Sequence, residues 1–131
     1  MIPGVLDVTG YSGEGCGVVV RSDSWRIGII NDLPRLRREE TKQMHCHLGT
    51  DEAFVLLNGR AWLYVGGKGV FSDDIKLFEV KPNRIYNIKM GVWHAVITQS
   101  DTALVIVENE STSKDNTLYH GVETEMLPLI D

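Results

Sequence analysis

From Lys42 to Glu108 the chain reads as short apolar-polar runs broken every few positions by turn residues. Asn58-Gly59, Gly66-Gly67-Lys68-Gly69, Ser72-Asp73-Asp74, Lys81-Pro82-Asn83, Lys89-Met90-Gly91 and Gln99-Ser100-Asp101 punctuate it. Between them lie β-rich runs at 53–57, 60–65, 75–80, 85–88, 93–98 and 103–108, and none keeps a helical period. Trp25 to Ile30 partly alternates and predicts another strand, as does Val18 to Arg21 beyond the glycine-rich loop 11–17. Leu33 to Glu40, interrupted by Pro34, predicts a connection or one helical turn. Short strands at close spacing indicate an all-β sandwich or barrel. Asn58-Gly59 is a strong two-residue hairpin signal. In the run 60–65, either Trp62 and Tyr64 or Ala61, Leu63 and Val65 face inward, and alternation alone leaves both open. Residues 109–116 are polar and read as irregular, whereas Met126-Leu127-Pro128-Leu129-Ile130 is too apolar for a free tail and must pack on its own barrel or on a neighbouring subunit.

Composition narrows the class without naming a task. A chain of 131 residues, 43% hydrophobic and 24% charged, suits a single domain spanning 1–131 with a real core. The net charge of −5 argues against a nucleic-acid backbone as partner. Arg35, Arg37 and Arg38 are followed at once by Glu39 and Glu40, and read as a solvated turn. Cys16 and Cys46 cannot make a disulfide framework, which favours a reducing compartment. The start lacks the basic and long apolar segments of a signal peptide, and no run reaches membrane-spanning length. The expected location is cytoplasmic.

Candidate chemistry concentrates in the run from Met44 to Glu52. His45 and His47 share one face of an extended segment, with Cys46 on the other. Leu48-Gly49-Thr50-Asp51 can reverse the chain and return Glu52 beside them, on a face with Phe54. His94 follows a further turn. Three imidazoles and one carboxylate meeting inside a barrel would be costly unless they bound something, and the set suits a divalent transition metal: zinc, iron, manganese or nickel. Phe54 and Val96 are the expected pocket wall. Lys89 and Tyr86 are candidate catalytic groups, as proton donor or substrate anchor.

His45-x-His47, then Glu52, then Gly59 resembles the first motif of the cupin superfamily, and Gly91-Val92-Trp93-His94 resembles its second. The resemblance covers about residues 25–108 and implies a double-stranded jelly-roll barrel. The chain departs from that pattern at Lys89, where a proline is frequent, and at Thr98, where an asparagine is. Leu48-Gly49-Thr50, Phe54, Gly59, Tyr86 and Val92-Trp93-His94-Ala95 are also similar to ureidoglycolate lyases, which release urea from ureidoglycolate. The resulting expectation is a metal-binding cupin acting on a small, carboxylate-bearing metabolite by Lewis-acid catalysis, as a lyase, isomerase or oxygenase. A metabolite sensor and a metal-free structural cupin are the alternatives. No DNA-binding helical segment accompanies the barrel. A homodimer is expected, because the N-terminal strand and the C-terminal tail both need cover.

Overall fold

The computed structural model describes all 131 residues. Ten strands make up two antiparallel sheets. They are β1 (Gly15–Arg21), β2 (Trp25–Asn31), β3 (Gln43–His47), β4 (Glu52–Asn58), β5 (Ala61–Lys68), β6 (Lys76–Val80), β7 (Tyr86–Ile88), β8 (Val92–Thr98), β9 (Ala103–Asn109) and β10 (Thr117–Gly121). One sheet runs β1-β2-β9-β4-β7 and the other β10-β3-β8-β5-β6. Consecutive strands mostly cross from one sheet to the other, giving the jelly roll expected from the sequence. Residues 34–36 and 38–40 form short 3-10 turns, so the segment around Pro34 is a connection with two helical turns. No helix is long and apolar enough to cross a membrane.

The Asn58-Gly59 signal marks a turn, but not the hairpin it predicts. β4 and β5 lie in different sheets, and a register shift between Leu56 and Asn58 bends the chain across. Gly59 holds φ 75°, and a Cβ there would meet the Asp101 carbonyl oxygen at 2.7 Å. Only glycine allows this corner to nest against the Asp101 turn. Asn58 Nδ2 donates to the same carbonyl at 2.7 Å.

The two sheets differ in cover. Between them lies an apolar layer of Ile30, Phe54, Ala61, Leu63, Leu104 and Ile106 with neighbours. The outward face of the second sheet carries another, with Met44, Cys46, Trp62, Tyr64, Trp93 and Ile97. β5 is thus buried on both faces, which is why Ala61-Trp62-Leu63-Tyr64 shows no alternation and why neither set of its residues is the outer one. The C-terminal segment covers that second layer through Val122 and Leu127, so the apolar tail packs on its own barrel. Arg38 fastens it, donating to the carbonyls of Thr124, Leu127 and Pro128 at 3.1, 2.7 and 3.2 Å. Tyr64 also donates to Pro128 O. Arg37 pairs with Asp32, whose other neighbour is Thr98 Oγ1 at 2.6 Å. The basic cluster is therefore no simple solvated turn: two of its three arginines tie connections to the barrel.

Candidate metal centre

The inward face of β3 presents His45 and His47, while Cys46 points into the outer layer. The turn 48–51 carries the chain to the opposite sheet, and β4 opens with Glu52. On β8, His94 stands directly across from His45, and Trp93 across from Cys46. Gly91, at φ 83°, donates from its amide to the His47 carbonyl at 2.8 Å, fixing the loop before His94 against β3.

Glu52 joins the imidazoles. Its two oxygens lie 3.0 Å from His47 Nε2 and 3.0 Å from His94 Nε2. Ligand atoms of His47, Glu52 and His94 all fall within 4.8 Å of one another. His45 lines the same cavity but stands outside this triad, its ring edge-on to Tyr119 at 5.1 Å. Phe54 and Val96 line the cavity as expected.

Hydrogen bonding settles which nitrogens face the centre. His94 Nδ1 lies 3.0 Å from the Val92 carbonyl, which can only accept, so Nδ1 carries the proton. His47 Nδ1 lies 2.9 Å from Thr117 Oγ1. That hydroxyl donates its own hydrogen to Ser113 O at 2.7 Å, so it accepts from His47. This assignment follows from the network. Each neutral ring therefore turns its Nε2 lone pair toward Glu52, the tautomer that a metal-binding histidine needs. Without an ion, the 3.0 Å contacts to Glu52 require protons in the place a metal would take. The donors are nitrogen and oxygen without thiolate, a set that can hold a divalent transition metal.

The electrostatics follow from burial. Glu52 is 5% exposed, and burial alone would favour its neutral acid. Hydrogen bonds from His47 and His94 overcome that and hold the carboxyl well below the usual range. Burial opposes the His47 cation, but Glu52 more than offsets it and raises the imidazole. His45 has no such partner: burial, then the neighbouring His94 and His47, push it down to about 4.

A second carboxyl group, which the sequence places only near the barrel mouth and gives no role, lines the cavity as well. Glu108 sits across from Arg26 on the inward faces of β9 and β2. Arg26 Nε and Nη2 both reach Glu108 Oε1, at 2.9 and 2.8 Å. Burial, then the facing Glu52, push Glu108 upward against the pull of Arg26. The signal was present in parity, since Leu104, Ile106 and Glu108 share one face of a strand.

Lys89 and Tyr86 lie elsewhere. Both line a separate groove of about 270 Å3 between the sheet edges β6 and β7. The Lys89 ammonium is exposed and lies 3.6 Å from Asp51. The Tyr86 hydroxyl donates to Glu79 O at 3.2 Å and accepts from Lys81 N at 2.9 Å. The turn 89–91 lies outside β8, and its amide at Met90 is held by Asp51 Oδ1 at 2.8 Å. The two expected catalytic groups thus do not share the cavity of the histidines.

No family model matches the chain, and no curated protein matches it in sequence. Solved structures do. A cupin-2 domain protein from Shewanella frigidimarina superposes with a TM-score of 0.56 at 14% identity, covering 76% of this chain and 85% of that one. The fold is that of the cupins. FeII HppE matches this cupin barrel with a TM-score of 0.55 at 16% identity, over 72% of this chain and 48% of its own. The QdtA 3,4-ketoisomerase from Thermoanaerobacterium thermosaccharolyticum, in complex with TDP, gives 0.56 at 18%, over 71% and 64%. At such identities the likeness establishes the cupin architecture, and chemistry has to be argued from this chain's own residues.

Proposed function

We propose that this cupin is a metal-dependent enzyme acting on a small, polar, carboxylate-bearing metabolite. The observation that carries the reading is the pair of tied Nδ1 atoms, which leaves two Nε2 lone pairs and a buried carboxylate aimed at one point. His47, Glu52 and His94 would hold the ion, with His45 beside them as a neutral fourth donor. A metal bound there supplies Lewis acidity toward a carboxylate or carbonyl. The surrounding cavity, about 490 Å3, is of metabolite size. Phe54, Val96 and Ile106 form its apolar wall, excluding water from the reacting end. Glu108, pushed upward by burial and by the facing Glu52 and held by Arg26, lines the same cavity. The iron named for HppE and the TDP named for the ketoisomerase support a small-molecule site in such a barrel.

The test is metal analysis of tag-free protein, followed by turnover assays with and without chelator. Ureidoglycolate heads the panel of candidate acids because of the sequence resemblance. Chelator-sensitive conversion is the expected outcome. Protein that binds an acid without converting it would be a sensor, and protein devoid of metal would end the proposal.

The same reading includes a homodimer formed through the outer face of the first sheet. Across β2, β9 and β4 that face carries the rows Ile27-Val107-Ala53 and Ile29-Val105-Val55, and no other element of the chain forms a layer over them. Four strands of seven residues and the three-residue β7 make a face of about 490 Å2 in plan. A standard interface needs about 800 Å2 from each partner. The N-terminal arm exposes Ile2, Val5, Leu6 and Val8, apolar surface that a second copy would also cover. Tyr11 anchors the base of the arm, lying over Gly17 on the edge strand.

A further inference from the structure

The structure points to Arg35 as the side chain that selects the anionic end of the ligand. This inference rests on the proposed function and names the substrate feature that the cavity reads. Arg21, Arg26, Arg37 and Arg60 are each paired with a carboxylate, and Arg38 is spent on three carbonyls. Arg35 lines the cavity with neither a hydrogen bond nor an ion pair. Arg84, the other arginine without a partner, lies on the turn between β6 and β7 and outside the cavity lining.

The position of Arg35 is built by its neighbours. It is the middle residue of the 3-10 turn Pro34–Leu36. Pro34 fixes the first backbone angle of that turn, and Leu36 packs into the inter-sheet core. The turn is thus anchored on both sides of Arg35, whose head stays in water at the mouth. Its charge is felt by His45, contributing to the fall of that imidazole. Arg26 cannot serve instead, because Glu108 neutralises it and the carbonyls of Glu110 and Thr112 take two more of its donors at 3.3 and 2.8 Å. Lys42, also on the rim, leans on the Glu39 carbonyl at 3.3 Å. Glu40 shares the rim but makes no ion pair with Arg35.

A planar guanidinium with all its donors free matches a carboxylate bidentately. A ligand reaching the triad with a hydroxyl or carbonyl oxygen would place a distal carboxylate at Arg35, with its carbon skeleton against Phe54 and Val96. The ligand class is therefore a short hydroxy or keto acid whose carboxylate is held at the mouth.

4-Hydroxybutyrate, 5-hydroxypentanoate and 4-oxopentanoate, each against its amide, are the probes, with ligand-observed NMR giving dissociation constants for wild type and Arg35→Gln. Metal content and melting temperature are measured on the same samples. The wild type is expected to prefer each acid over its amide. In Arg35→Gln the acids weaken roughly twofold to fivefold, the worth of an ion pair at a solvent-exposed mouth, while the amides hold. Metal and melting temperature stay as in wild type, since the side chain has no partner to lose. Equal binding of acids by the two proteins, or no acid preference in the wild type, overturns the assignment of Arg35 and leaves the metal reading intact. Arg35-dependent acid binding by protein that holds no metal would uphold Arg35 and overturn the metal reading.

Discussion

Glu52 is the residue on which most of the site's energetics meet, since it touches both imidazoles and faces Glu108. Glu52→Gln removes its charge while keeping its shape, and metal affinity should fall by roughly tenfold to a hundredfold or more, the penalty of losing even an indirect support. A competition titration against a chromogenic chelator reads it. Thr117→Val tests the support itself: the Nδ1 proton of His47 loses its acceptor, and affinity should drop about tenfold by the same titration. The metal-free protein also has a pH signature. His45 is lowered from 6.5 to about 4, so its contribution to stability is complete above 6.5 and is lost as pH falls toward 4. Glu52 is lowered too, so its contribution goes as pH falls below 4.5. His47 is raised, so its contribution is complete below 6.5 and is lost as pH climbs through the raised value. Melting temperature with chelator present should therefore peak near pH 6.5, and His45→Gln should flatten the acid limb.

At the scale of elements, what the sequence made legible followed periodicity. His45, His47, Glu52, Phe54, His94 and Val96 reach one cavity because residues two apart on a strand share a face. What it hid depended on which sheet a strand joins. β10 supplies Thr117 and Tyr119 opposite His47 and His45, yet it is a short edge strand after a polar stretch, and only its Thr-x-Tyr spacing hints at it. Tyr86 and Lys89 had suitable chemistry, but their turn closes a different gap between sheets. The apolar tail was recognisable as a packing segment, though its anchor, Arg38, looked like solvated charge. Arg38→Met should cost about 2 kcal/mol, as hydrogen bonds to a charged group do. Hydrogen exchange should then quicken across residues 122–130, with β2 and β9 unaffected.

For the whole molecule, the decisive feature is that one sheet has two buried faces and the other has one. Val105 lies at the centre of the uncovered face, between Ile29 and Val55. Val105→Asp places a charge where the proposed two-fold contact would bury it. Sedimentation equilibrium should then find monomer in place of dimer, with metal content unchanged because the cavity lies on the opposite side of that sheet.

The triad also straddles the barrel: Glu52 belongs to one wall, His47 and His94 to the other. Glu52 already ties the two walls through its contacts to His47 and His94, and an ion seated among them would act as a rivet in place of those hydrogen bonds. At a hundred times its dissociation constant it would add about 2.7 kcal/mol to the folded state. Stripping it would hand the junction back to those hydrogen bonds alone, so that the proposed centre and one brace of its own container would weaken in a single step.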